Sequence, residues 1–242
     1  MAGHSKWKNI RLHKGKADIE RGKVFGKLSR ELTIAAKAGG GIADSNPRLR
    51  FAIEQARSNS MPADNIKRAI QKGTGELESE NFEEITYEGY GPGGIAVLVM
   101  SATDNKNRTV ADLRHLFAKN GGNLGESGSV AWQFERKGII LLSGGEEDAV
   151  TDAALEVGAE DVSFDGVIEI TTAPEDLARV RDELQERGLQ IESAELQMVP
   201  QTLISLEGET ARKMMKLIDV LEDYDDVQSV AANFDIEGDL DS

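Results

Sequence analysis

The sequence predicts an α + α+β chain: a helical N-terminal domain followed by two α+β domains, the last inserted in the middle one. Three observations carry this. The hydrophobic period changes from helical to alternating near Glu84. Between Lys137 and Met198 the patterns follow one another as strand, helix, strand, strand, helix, strand. Beyond Met198 only a strand, a helix and a strand remain, too little to bury a face of their own, so they are expected to complete an earlier sheet.

Taken in order, the first helix is expected over about Glu20 to Lys37, where Val24, Phe25, Leu28, Leu32 and Ala35 recur at helical spacing on one stripe. Gly39-Gly40-Gly41 stops it, because glycine readily adopts the left-handed conformation at a helix end. Asn46-Pro47 opens a second helix, with Asn as cap and Pro in the first turn. Leu49, Ile53 and Ala56 give it an apolar face, flanked by Arg48, Arg50 and Arg57. Met61-Pro62 starts a third, with Ile66, Ala69 and Ile70 inward. Gly73-Thr-Gly75 and the acidic stretch to Glu84 read as a linker.

A strand is expected at Ile85 to Glu88, a glycine-rich turn at 89–94 and a buried strand from Ile95 to Ala102. A helix begins near Arg108, capped by Asn107, with Val110, Leu113 and Phe117 on one face. A glycine-rich loop from Asn123 leads to a strand at Val130 to Phe134. The βαββαβ order then runs through Ile139–Leu142, Glu146–Val157, Val162–Phe164, Val167–Thr171, Pro174–Arg187 and Ile191–Met198, the ferredoxin-like arrangement. A strand near Leu203–Leu206, a helix near Glu209–Leu221 and a strand near Val227–Phe234 close the chain. The expected domains are residues 1–78, a discontinuous 79–136 with 199–242, and an inserted 137–198.

Charge is distributed unevenly. The chain carries 28 Lys and Arg against 43 Asp and Glu. Residues 1–72 nevertheless sum to +10, residues 73–136 to −5 and residues 137–242 to −20. An acidic body with one basic end is expected to dock end-on to a polyanion. There is no Cys, which removes disulfides, thiolate nucleophiles and Cys-based zinc sites and suits a reducing cytoplasm. The longest apolar run, Ile95 to Met100, is far short of a membrane span, and no signal peptide follows the first charges, so a cytoplasmic monomer away from membranes is expected.

The candidate binding residues gather at the basic end. His4, Lys6, Trp7, Lys8, Arg11, His13, Lys14 and Lys16 form an arm with hardly an apolar side chain to bury. Arg21, Lys23, Lys27 and Arg30 continue it along the first helix, off its apolar stripe and able to face a ligand. Lys and Arg grip phosphates and Trp stacks on a base; the other reading of such an arm is a solvated tail. Asn105, Arg108, Arg114, Lys119 and Asn123 could form a second, weaker contact surface, or ordinary surface loops. Gly89, Gly91 and Gly94 match G-x-G-x-x-G, but a strand follows where a dinucleotide site needs a helix, so a tight turn is the better reading. The three His lack metal-ligand spacing, and His115 is expected at a helix surface. No activated nucleophile, metal site, phosphate loop or cofactor motif is found, so neither catalysis nor a cofactor is expected.

MAGHSKW at the start, RGKVF at 21–25, AAKAGGG at 35–41, NPRLR at 46–50, YEGYGPGG at 87–94, NRTVADLRH at 107–115 and GGNLGESGSVAWQF at 121–134 together resemble the YebC/PmpR-like family. The likeness runs nearly end to end and thins in 137–242, to stretches such as GAEDV at 158–162. It implies three domains and a cytoplasmic, DNA-binding transcriptional regulator. Relatives, including mitochondrial translational activators of cytochrome c oxidase, imply instead a ribosome-associated factor that relieves stalling at proline-rich stretches. The resulting expectation is a non-catalytic nucleic-acid-binding regulator of gene expression. A DNA-binding transcriptional regulator is its first form and a ribosome- or RNA-associated translation factor the alternative. The partner is thus DNA or ribosomal RNA. The helix at 20–37 shows mostly Lys and Arg, which identify few bases, whereas a flexible basic arm with Trp and His suits structured RNA.

Overall fold

The computed structural model describes residues 21–78, 80–164 and 166–237. The arm that carries His4, Lys6, Trp7, Lys8, Arg11, His13, Lys14 and Lys16 lies outside the described residues. The fold is α+β. No helix among the described residues is long and apolar enough to cross a membrane.

Among the described residues three helices come first: α1 (Arg21–Gly39), α2 (Pro47–Ser58) and α3 (Ala63–Thr74). Their core is Leu32, Ala35, Ala36, Leu49, Ala52, Ala56, Met61, Ile66 and Ala69. The link between α1 and α2 is made by Asn46, which is buried. Its Oδ1 accepts from the Leu49 N–H as the cap of α2, while its Nδ2 donates to the carbonyls of Ala35 and Gly40, both at 2.8 Å. One side chain thus satisfies the start of one helix and the end of another. The expected linker begins later than the sequence indicated, because Gly73 belongs to α3. A Cβ there would collide with the Thr33 carbonyl and lie 2.7 Å from Ala36 Cβ, so the glycine lets α3 lie against α1. Gly75, at φ +82°, caps α3.

β1 (Glu83–Tyr90) and β2 (Ala96–Thr103) form an antiparallel hairpin. Its turn carries Gly93 and Gly94 in the left-handed region, and a side chain at Gly91 would press on Met214, so these glycines serve a turn and a close approach. Next come α4 (Lys106–Lys119), β3 (Asn123–Leu124) and β4 (Phe134–Leu142). Asn105, not Asn107, caps α4: its side chain accepts from the Arg108 N–H at 3.1 Å. The strand expected at Val130 to Phe134 is also corrected. Ala131–Gln133 is a single 3-10 turn, and the strand starts at Phe134.

The remaining elements are α5 (Glu147–Glu156), β5 (Asp161–Ser163), β6 (Ile168–Thr172), α6 (Leu177–Glu186), β7 (Ile191–Pro200), β8 (Ile204–Leu206), α7 (Gly208–Glu222), β9 (Val227–Ala232) and β10 (Phe234–Ile236). The strands β4 to β7 form one antiparallel sheet in the order β5-β6-β4-β7, with a core of Ile140, Val150, Ala154, Ile170, Val180 and Leu184 under α5 and α6. The other four-stranded sheet has the order β3-β1-β2-β9, so the chain returns to β2 after β7. The apolar run of β2 is buried on both faces. Val97 and Val99 join α4 and α7 residues such as Phe117, Met214 and Ile218, while Ala96 and Leu98 join Val130 and Phe134, with Met198 packed alongside. The strand expected over Val227 to Phe234 is two strands. Buried Asn233 interrupts it, accepting from the Ala96 N–H at 2.8 Å and donating to Gln133 at 3.0 Å, and β10 then pairs in parallel with β8.

Candidate nucleic-acid interface

Helical spacing places Lys23, Lys27 and Arg30 on one stripe of α1. That stripe meets the end of α7 and the turn after it. Lys27 Nζ donates to the Glu222 carbonyl at 2.7 Å, and Lys23 lies 3.3 Å from the Asp223 carboxylate. Arg30 donates to the Asp225 carbonyl and lies 3.5 Å from the Asp226 carboxylate. Its guanidinium also sits 5.4 Å from the centre of the Phe82 ring. Cations beside a helix C-terminus meet the negative end of its dipole. The sequence left these side chains able to face a ligand; in the structure all three are engaged with the acidic 222–226 segment.

Asp226 is the anchor of that turn, its side chain only 4% exposed. Its Oδ2 accepts from Thr109 at 2.8 Å, Arg108 at 2.9 Å and Thr103 at 3.2 Å. Burial pushes its carboxyl up, but the hydrogen bonds from Arg108 and Thr109 and the charges of Arg108 and Arg30 outweigh it and hold it below the ordinary range. Arg108 also reaches Asp104 at 2.7 Å, so of the second candidate surface Arg108 is tied up and Asn105 is spent as a cap. Arg114, Lys119 and Asn123 are exposed, as is His115.

On the other two helices cations are present without such partners. Arg50 and Arg57, seven residues apart on α2, and Lys67 and Arg68 on α3 are all exposed. Among the described residues none of the four forms an ion pair. Arg68 joins Arg30, Lys72, Asn65, Ser29 and Phe82 around an open groove of about 970 Å³ that Glu78 and Glu80 also line. Sequence reasoning saw Arg50 and Arg57 only as neighbours of an apolar face and missed Lys67 and Arg68. Their signal was the position next to buried Ile66 and Ala69 on a short amphipathic helix. Arg48 differs: it pairs with Glu31 at 2.7 Å and Glu84 at 2.7 Å, stapling α1, α2 and β1 together. The α1 residue Arg21 begins the helix.

Residues 5–76 match the TACO1/YebC protein N-terminal domain, and residues 82–234 the TACO1/YebC second and third domain. A probable transcriptional regulatory protein of Syntrophotalea carbinolica is 56% identical over 238 residues, covering 98% of this chain and 96% of the relative. One of Dictyoglomus turgidum is 52% identical over 244 residues, covering 99% and 98%. The crystal structure of a conserved hypothetical protein from Aquifex aeolicus superposes with a TM-score of 0.85 at 49% identity, over 92% of this chain and 93% of that one. With matches spanning the helical part and both four-stranded sheets, the chain belongs to the TACO1/YebC family.

Proposed function

We propose that this chain is a non-catalytic regulator of gene expression that binds nucleic acid through its helical end, with duplex DNA as the first ligand. The observation that carries this is the set of exposed cations on α2 and α3 (Arg50, Arg57, Lys67 and Arg68), unpaired among the described residues, in a chain whose N-terminal sequence has the same sign. The rest of the chain is acidic, so long-range attraction brings a polyanion first to the basic end. The regulatory role agrees with the names carried by the relatives in Syntrophotalea and Dictyoglomus. Lys and Arg in this arrangement fix register on phosphates and carry no sequence information themselves.

A second reading rests on α1. Three of its cations are engaged with the 222–226 segment, which takes these side chains away from a major groove. Recognition by shape and phosphate alone suits structured RNA, and with it a ribosome-associated factor.

The test is salt-dependent binding of a labelled DNA duplex and a structured RNA. Charge reversal at Arg50, Arg57, Lys67 and Arg68 should weaken binding and lower the log–log salt slope on duplex DNA by about 0.9 for each lost phosphate contact. Reversal at Lys6, Lys8 and Arg11 should act in the same direction. Unchanged affinity and slope in both variants would sink the proposal, and loss confined to the RNA would favour the second reading.

A further inference from the structure

Trp132 is 70% exposed, although the residues on either side of its short turn, Val130 and Phe134, are buried. An indole so placed is not a frayed core residue. The loop that holds it is fixed from beneath by Glu88, a β1 side chain that is 6% exposed. One Glu88 oxygen accepts from the Gly128 N–H at 2.6 Å, the other from Val130 at 2.7 Å and Ala131 at 2.8 Å. Its main-chain carbonyl accepts from the Gly125 N–H at 2.8 Å. No cation pairs with this carboxylate among the described residues. Burial pushes its carboxyl up, and the three backbone N–H groups outweigh that and hold it below the ordinary range.

The tryptophan itself is also fixed. Its Nε1 donates to the Ser129 carbonyl at 3.2 Å, and Tyr90 donates its hydroxyl to the same oxygen at 3.1 Å. Gln133, next along, is held at 2.9 Å by the Gln201 N–H and at 3.0 Å by Asn233. A buried, unpaired carboxylate is costly to keep, and here its effect is to hold one aromatic ring in water. With the indole N–H spent, what remains is the ring's face.

Residues 125–129, which lead into the turn, are Gly, Glu, Ser, Gly and Ser. They offer little apolar area for a protein partner's core contact, which normally surrounds its aromatic anchor with packed neighbours. Small residues instead let a second backbone come near, and Gly128, at φ +86°, has open space beside it. A flat ring of this kind, rigid and reached from outside, suits another flat ring.

We propose that Trp132 is a stacking platform for an unpaired nucleobase, a second nucleic-acid contact set on the sheet part of the molecule and apart from the basic helices. It rests on the nucleic-acid reading above and holds for either polymer, because every base has a π-face. It also predicts a preference for single-stranded or looped segments over intact duplex, whose bases are already stacked.

The chain has two Trp, so Trp7→Phe leaves Trp132 as its only indole. In that background, unlabelled oligo(dT) and oligo(U) are titrated while indole fluorescence is read, and labelled strands and a matched duplex are followed by anisotropy. Expected are quenching that saturates together with anisotropy, and a loss of single-strand affinity in Trp132→Ala of about 5- to 150-fold. Trp132→Phe should retain most of the affinity, duplex binding should be unmoved, and Glu88→Gln should weaken strand binding by loosening the loop. Strand binding without quenching, or unchanged in Trp132→Ala, overturns the platform and leaves the basic surface standing. No anisotropy change with any strand or duplex overturns the nucleic-acid reading itself, and the platform with it.

Discussion

Asn46 Nδ2 donates to the Ala35 carbonyl at 2.8 Å, across eleven residues of sequence and the gap between two helices. The same side chain serves Gly40 and Leu49, so its removal takes a hydrogen bond from two carbonyls and one N–H, at a site where the asparagine itself is buried. Asn46→Ala should destabilise by about 2 to 4 kcal/mol, more than a surface cap alone, since each orphaned buried group adds to the lost cap. Urea unfolding would measure it, and a loss under about 0.5 kcal/mol, the level of an inert surface change, would show that water replaces the amide.

Gly73→Ala offers a test by sign. In an exposed helix interior this change stabilises by about 1 kcal/mol. Here the added methyl meets the Thr33 carbonyl and Ala36, and backbone cannot move aside as a side-chain tip does. The variant should lose about 1 to 3 kcal/mol, the range of overpacking. A stabilised variant would mean that α1 and α3 do not approach each other as described.

Asp226 gives a pH dependence. Its folded carboxyl titrates below its unfolded value, so the folded state favours the deprotonated form. The stability this supplies is fully present above the unfolded value of about 3.9 and is lost as pH falls through the folded value. Wild type should therefore lose stability more steeply below about pH 4 than Asp226→Asn, which is less stable at neutral pH but lacks this titration. Parallel acid profiles for the two proteins would remove Asp226 from that role. Glu88, also held below its ordinary range, contributes in the same direction in both proteins.

Fragments test the division of the chain. Residues 137–198 hold most of the β4 to β7 sheet, with α5 and α6 over Ile140, Ile170 and Val180, and should unfold cooperatively when expressed alone. Residues 80–135 keep β1 and β2 but lose β9 and α7, which supplies Met214, Leu217, Ile218 and Leu221 to their core. A well-dispersed NMR spectrum from 80–135 by itself would show that this sheet does not depend on the returning segment.

Local signals in the sequence determined a good deal. The spacing of Leu28, Leu32 and Ala35, the Asn46-Pro47 start and Gly75 mark α1 to α3, because caps and helical periodicity act within a few residues. The alternation and turns after Lys137 marked β4 to β7 for the same reason. Charge sums along the chain located the basic end. Tertiary structure alone decided which cations are engaged. Arg108 meets Asp226 across 118 residues, and Arg30 meets Asp225 across 195, distances over which no local pattern carries information. It also broke the last strand at Asn233, whose partner Ala96 lies 137 residues away, and set Trp132 in solvent above Glu88. A run such as SVAWQF reads as a strand by propensity. The N–H groups of Val130 and Ala131, with that of Gly128 just before the run, turn instead to the Glu88 carboxylate, since a buried charge demands hydrogen-bond donors and takes them from the ladder a strand would use.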